Sequence, residues 1–319
     1  MPKIAIVGAG AMGCVLGAYL AKGGGDVVLV DPFKAHMDKI AADGLIMNSA
    51  SGTEVVKLNT AYDASEIGVQ DYVVIMVKGT LTALALEGAL PAIGENTFVC
   101  TFQNGIGNVD IITEKIPKEK VLYGCLNMTS ILKGPGEIYG NLFDEVNVHV
   151  GSVVREEAQQ EAGEAIAAVF TAGGAPARYD KDDIDTYVWS KAMVNIVVNG
   201  TLGLVRLRGK DVATNRYFQQ IVINLSQEAL AVAEAKGVPG LDFNTFFTKV
   251  LPAARKDGGD HYPSMAQDIM IGKKKTEIEF LNGAVEKMGK ELGIPTPVNA
   301  TVANFIRVIE DNYDKQYYE

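Results

Sequence analysis

Along the first thirty residues the hydrophobic pattern changes period twice. Residues 3–7 are a short β-branched run, residues 11–22 carry apolar positions at helical spacing and stop at Gly23-Gly24-Gly25, and residues 27–30 are again continuously apolar. Strand, helix and strand at this spacing make one βαβ unit. Continuous apolar strands are buried on both faces, as in a parallel sheet covered by helices, and residues 72–77 and 98–101 supply two more of that kind. Residues 44–60 alternate instead, around Ser51-Gly52, which predicts a hairpin decorating the sheet with an exposed tip. Runs at 121–131, 137–139 and 146–150 predict further strands around a Gly134-Pro135-Gly136 turn, and 155–171 predicts the helix that closes this part.

Beyond residue 180 long helical periodicities take over, at 185–204, 215–236, 243–251 and 276–292. The expected fold is therefore α/β: a Rossmann-type doubly wound sheet over residues 1–180, which binds a dinucleotide, followed by a mainly α-helical domain over 181–319 that carries substrate and catalysis. A chain of 319 residues is long enough for two cores, and 48% hydrophobic with 21% charged residues is a globular balance. A net charge of −10 repels phosphate backbones and acidic bilayers, so neither nucleic acid nor a membrane is an expected partner. The tight basic run Lys273-Lys274-Lys275 reads as a solvated helix end or loop. Residues 4–21 lack charge and approach the length of a membrane span, but Gly8, Gly10, Gly13 and Gly17 divide them into strand, turn and helix start. Cys14, Cys100 and Cys125 are odd in number and far apart, without CxxC or Cys/His spacing. That pattern predicts no disulfide framework and no metal site, and it suits a reducing, cytoplasmic setting.

The chemistry begins at Gly8-Ala9-Gly10-Ala11-Met12-Gly13. A GxGxxG recurs by chance, but here it follows a strand and opens a helix. Gly8 can then make the turn, Gly10 can let the backbone approach a pyrophosphate, and Gly13 can allow close helix packing, with Ala11 and Met12 opening the helix end that faces the anion. Asp31 stands at the end of the second strand, where an acid accepts hydrogen bonds from ribose hydroxyls; this favours NAD(H). NADP(H) stays open because Lys34, three residues on, can partly offset the repulsion of a 2′-phosphate. Lys78 and Gln103-Asn104-Gly105 lie at two further strand ends, on the ligand-binding carboxyl edge of such a sheet. Lys78 suits cofactor phosphates or a substrate carboxylate and Asn104 the ribose or nicotinamide end; the plainer alternatives are a surface lysine and an Asn-Gly turn.

From Trp189 to Asn199 an apolar helix is interrupted at four-residue intervals by Lys191, Asn195 and Asn199, which therefore share a face. A cation and two amides are unfavourable in a core unless they line a polar cleft; an exposed helix face is the plainer alternative. Reduction of a 2-oxo acid needs a hydride, a proton for the developing alkoxide, and polar groups that hold the carboxylate and oxo oxygens. Lys191 can give the proton or polarise the carbonyl, and Asn195 and Asn199 can orient substrate without adding charge. Ser190 points off that face. Ser264 can cap a helix or bind a carboxylate, Glu277 suits a helix start, and His261, without an evident partner, reads as structural.

Taken together and in this order, these segments resemble the ketopantoate reductases (2-dehydropantoate 2-reductases) and their 2-hydroxyacid dehydrogenase relatives, almost end to end. The resemblance implies a general acid at Lys191, an active-site acid at Glu277, substrate contacts from Asn195, Asn199 and Ser264, and Lys78 and Asn104 near the nicotinamide. It implies NAD(P)H-dependent reduction of a small branched 2-oxo acid, 2-dehydropantoate or a relative, to its D-2-hydroxy acid, with a homodimer left open. Asp31 departs from the family's usual basic residue, the stretch from Ser264 to Glu277 is one residue longer, and Gly209 stands where some members place an asparagine. These features are similar to the NAD-dependent D-mandelate type branch. Two rival readings are a β-hydroxyacid dehydrogenase, which also carries a Lys-x-x-x-Asn helix, and an NAD(H)-sensing regulator without turnover, against which intact Lys191 and Glu277 argue.

Overall fold

The computed structural model describes residues 1–252 and 262–316. The chain forms two compact units, Met1–Gln103 with Asn108–Ile184, and Asn104–Gly107 with Asp185–Glu319. The expected structural role of His261 lies outside the described residues.

The first unit is built on an eight-stranded sheet. Its strands are β1 (Lys3–Val7), β2 (Asp26–Val30), β5 (Asn59–Ala61), β6 (Tyr72–Ile75), β7 (Phe98–Thr101), β8 (Val121–Leu126), β11 (Val148–Ser152) and β12 (Ala177–Tyr179). They lie in the order β12-β11-β8-β7-β6-β1-β2-β5, all neighbours parallel except β11 against β8. The chain runs outward from β1 through β2 to β5 and then restarts on the other side at β6. The topological switch point is therefore between β1 and β6, where Ile6 pairs with Val74. Alternate side chains of β1 serve two cores. Ile4 and Ile6 join Leu16 and Leu20 of α1 (Ala11–Lys22) and Phe170 of α5 (Glu157–Ala172). Ala5 and Val7 join Leu86 of α3 (Thr82–Ala89) and Ile112 of α4 (Asn108–Thr113). Helices on both faces explain why these strands carry no polar alternation.

The predicted hairpin is present as β3 (Leu45–Ser49) and β4 (Gly52–Val56), but it belongs to a second sheet rather than extending the first. β3 pairs in parallel with β10 (Glu137–Leu142), which pairs antiparallel with β9 (Met128–Gly134). The run read as one strand over 121–131 is broken at Asn127. Its N–H is taken by the Asn147 carbonyl at 2.8 Å and its side chain donates to Val146 at 3.3 Å, so the chain leaves one sheet for the other there. Between β2 and β3 lies α2 (Lys34–Asp43).

The second unit is helical, with α6 (Ile184–Val205), α7 (Gly209–Val212), α8 (Arg216–Ala235), α9 (Phe243–Thr245), α10 (Ser264–Gln267), α11 (Asn282–Leu292) and α12 (Pro297–Glu310). Its core collects Met193, Ile196 and Val197 of α6 with Leu225, Val285, Ala303 and Ile306, all fully buried. At 22 residues and a mean hydropathy of 1.3, α6 is long and apolar enough to cross a membrane by length and composition; its packing into this core accounts for the apolarity. The helix predicted over 276–292 breaks at Leu281 (φ −120°, ψ −104°) into a single 3-10 turn, Ile278–Phe280, and α11. A buried polar network begins at that break. Asn282 Nδ2 donates to the Ile196 carbonyl at 3.1 Å and to Asn299 Oδ1 at 2.9 Å, and Asn299 Nδ2 donates to Glu228 at 2.8 Å. Glu228 also accepts the N–H groups of Val298 and Asn299, both at 2.9 Å, and so caps α12. The lysine run is tied down by ion pairs, Lys274 with Asp268 at 3.4 Å and Lys275 with Asp311 at 2.8 Å.

Candidate active site

In the first unit the glycine loop follows β1 and opens α1. Gly8 has φ +103°, which only glycine adopts without strain, and its N–H donates to Val30 at 2.9 Å. A Cβ on Gly13 would stand 2.0 Å from the Gly8 carbonyl oxygen, so the first turn of α1 can lie against the loop only without a side chain there. A Cβ on Gly10 meets nothing within 4 Å. Gly10 is also the N-cap of α1, and no side chain caps the helix, so the N–H groups of the first turn, at Ala11, Met12 and Gly13, lack the usual side-chain acceptor. Open space, an uncapped helix end and its dipole together fit a pyrophosphate.

Asp31 directly follows β2 and is half-buried. One carboxylate oxygen accepts the Ala9 N–H at 2.9 Å and the other accepts the Phe33 N–H at 2.9 Å. Each oxygen keeps lone-pair capacity for a ribose hydroxyl. Lys34, three residues on, is held beside another side chain. Its ammonium lies over the Tyr62 ring, 5.5 Å from the centroid, while the Tyr62 hydroxyl donates to Asp38.

At the exit of β6 the chain passes through Met76 and Val77 to a half-buried Lys78, which precedes the 3-10 turn Gly79–Leu81. This exit touches the glycine loop, since a Cβ on Gly8 would lie 2.7 Å from the Val77 nitrogen. Gln103 holds the path in place. Its Nε2 donates to the Val77 carbonyl at 2.7 Å and to Thr82 Oγ1 at 2.9 Å, while Thr101 donates to its Oε1 at 2.9 Å and Thr82 in turn donates to Asn108 at 3.0 Å. The Gln-Asn-Gly motif pointed to this place; the roles of Thr82 and Asn108 had no signal of their own in the pattern.

In the second unit Lys191, Asn195 and Asn199 occupy one face of α6 and all three are half-buried. Among the described residues the carboxamides of Asn195 and Asn199 have no hydrogen-bond partner, although each can make several. On the neighbouring face of the same helix, Gly200 leaves room for Asn282; a Cβ there would meet Asn282 Oδ1 at 2.9 Å and Val302 at 2.7 Å. Glu277 is half-buried and precedes the Ile278–Phe280 turn rather than beginning a long helix. Asn104–Gly107 docks on that turn. The Ile106 N–H donates to the Phe280 carbonyl at 2.8 Å, and Gly105, at φ +88°, has no space for a side chain because a Cβ would come within 2.4 Å of the same oxygen. Asn104 and Glu277 are thus carried by two segments in direct contact. Ser264 is exposed at the first position of α10, where Pro263 is the cap residue, so helix capping is not its role. Among the described residues no cluster of His, Cys, Asp and Glu could hold a metal ion.

The family model described as ketopantoate reductase PanE/ApbA matches residues 4–155, and its C-terminal counterpart matches residues 183–310. A 2-dehydropantoate 2-reductase of Streptococcus pyogenes is 30% identical over 305 residues, covering 96% of this chain and 97% of the relative. A D-mandelate dehydrogenase solved with NADH and anilino(oxo)acetate superposes with a TM-score of 0.87 at 28% identity, covering 98% of this chain and 100% of that one. A PanE/ApbA family ketopantoate reductase of Ralstonia eutropha JMP134 gives a TM-score of 0.86 at 28% identity, covering 98% and 99%. With both halves of the family's model matched in order along the chain, this protein belongs to the ketopantoate reductase PanE/ApbA family.

Proposed function

We propose that the protein is an NADH-preferring reductase of a small branched 2-oxo acid, 2-dehydropantoate or a close analogue, yielding the D-2-hydroxy acid. The observation that carries this reading is the half-buried stripe of Lys191, Asn195 and Asn199 in a chain that also presents an uncapped helix end behind a glycine loop. When bound, a reduced nicotinamide would supply a hydride to the carbonyl carbon. Gly8, Gly10 and Gly13 shape the loop, and the first-turn N–H groups at Ala11 and Met12 hold the pyrophosphate. Lys78 serves the phosphates or the substrate carboxylate, and Asn104 the nicotinamide end. Lys191 gives a proton to the oxygen as it becomes an alkoxide, which balances the hydride and leaves a secondary alcohol. Asn195, Asn199 and Ser264 orient the oxo and carboxylate oxygens, and Glu277 serves as an active-site acid.

The preference for NADH rests on charge. The Asp31 carboxylate would repel a 2′-phosphate, and the nearest downstream cation, Lys34, is engaged with Tyr62. Asp31 is also the observation that favours a second reading within the same reaction class, a D-mandelate type dehydrogenase. The test is an assay of NADH and NADPH oxidation with ketopantoate, 2-oxoisovalerate and phenylglyoxylate. Fastest turnover of an aliphatic substrate with NADH supports the first reading, fastest turnover of phenylglyoxylate supports the second, and turnover of none of them overturns both.

A further inference from the structure

Side chains hold both peptide groups of Ala9. Its N–H donates to Asp31 at 2.9 Å, and its carbonyl accepts the thiol of Cys14 at 3.2 Å. Cys14 is fully buried in the first turns of α1; burial first, and then the charge of Asp31, pushes its thiol up to about 12. The sulfur therefore keeps its proton and can donate. It lies 3.3 Å from Nε2 of His36, a residue of α2 that is 1% exposed. The His36 tautomer follows from its other nitrogen. The Gly136 N–H, in the turn between β9 and β10, donates to Nδ1 at 2.9 Å, so the neutral ring carries its hydrogen on Nε2, facing Cys14. Phe33 stacks on the ring, with centroids 6.0 Å apart and planes 12° apart. A continuous chain thus runs from Gly136 through His36 and Cys14 to the Ala9 carbonyl, and the His36 ring also interacts with the Ala9 backbone directly.

In a planar trans peptide the N–H points opposite to the carbonyl. Drawing the Ala9 carbonyl inward to Cys14 turns the Gly10 N–H the other way, away from Cys14, at a residue that is itself exposed and whose Cβ would meet nothing within 4 Å. We propose that Cys14 and His36 are positioning residues for the dinucleotide, holding the Ala9–Gly10 peptide so that the Gly10 N–H is presented to the pyrophosphate. Both side chains are buried, so they act through the peptide and not by touching the ligand. The inference rests on the dinucleotide reading above.

The test is a fluorescence titration of the full-length protein with NADH, beside steady-state kinetics. Cys14→Ala removes the donor and is expected to raise Kd and KM for NADH about three- to tenfold, the scale of one hydrogen bond, while kcat at saturating NADH and KM for the 2-oxo acid stay at wild-type values. Cys14→Ser keeps a donor for Ala9 and stays within about twofold of wild type. His36→Gln, which retains an N–H toward Cys14, and His36→Leu, which does not, form a second pair with the same expected contrast and decide the matter should Cys14→Ala fail to fold. A purely structural role would lower the melting temperature of the variants without separating their NADH affinities. Equal Kd for Cys14→Ala and wild type, or equal weakening by the Ala and Ser variants, overturns the proposal. Failure of the wild-type protein to bind NADH or NADPH overturns the dinucleotide reading itself.

Discussion

The carboxylate of Asp31 and the backbone N–H of Ala9 are joined by a 2.9 Å hydrogen bond that ties the end of β2 to the glycine loop of β1. One side chain therefore both anchors the loop and sets its charge. These roles separate on substitution. Asp31→Asn retains an acceptor for Ala9 but removes the charge that opposes a 2′-phosphate, so the NADH-over-NADPH ratio of kcat/KM should fall roughly five- to tenfold, about 1 kcal/mol for a solvent-accessible charge pair. Asp31→Arg loses the anchor as well. It is expected to weaken both coenzymes and so to make a poor specificity switch, as paired KM measurements would reveal.

Gly13 and Gly10 differ in what surrounds them. Gly13→Ala forces a methyl to within 2.0 Å of the Gly8 oxygen, a backbone atom that cannot rotate away, and should destabilise the first unit by about 1–3 kcal/mol or more. Gly10→Ala meets nothing within 4 Å, so its melting temperature should match wild type. Its NADH affinity should nevertheless fall, because the methyl occupies the space through which a pyrophosphate approaches. Thermal melts with and without NADH separate the two variants.

The Asn282–Asn299–Glu228 network supports the face of α6 next to the polar stripe. Asn282→Leu leaves the Asn299 oxygen without its buried donor and should cost about 1–3 kcal/mol in chemical denaturation. Gly200→Ala presses on the same side chain and is expected to raise KM for the 2-oxo acid more than KM for NADH.

Acid acts on His36. Burial, the largest influence, lowers its pKa from 6.5, opposed by the Asp31 charge and a hydrogen bond to the Ala9 backbone. The unfolded chain then binds the proton more readily than the folded one. The stability contributed by the neutral ring is fully present above about pH 6.5 and is lost as pH falls below that value. Urea midpoints measured at pH 8 and pH 5 should separate more for wild type than for His36→Gln, which has no group to protonate there.

The strands β1, β2, β6 and β7 were legible because burial on both faces leaves a continuous apolar run, and the glycine loop because its spacing sits between a strand and a helix. Other elements were not, β12 and α12 among them. β12 is a pairing of Ala177–Tyr179 with β11, too short to carry a pattern, and α12 lies beyond the predicted helices although Pro297 at its first turn and buried Val302 and Ile306 mark an amphipathic helix. The second sheet was hidden because β3 and β10 are far apart in sequence, and pairing between distant segments leaves no local trace. At the candidate site, spacing alone placed Lys191, Asn195 and Asn199 on one face. The links through Gln103 to Val77, and through His36 to Cys14, come from tertiary contacts between segments 26 and 22 residues apart and could only be read in three dimensions.

In the proposed reaction the Lys191 ammonium gives up the proton that the carbonyl oxygen takes as hydride arrives. Single-turnover and steady-state rates of Lys191→Ala with NADH and the best 2-oxo acid test it most directly. The expected result is a fall in kcat of roughly a hundredfold or more, the usual scale for a lost general acid, with NADH binding intact. A variant that turns over at the wild-type rate would contradict the account.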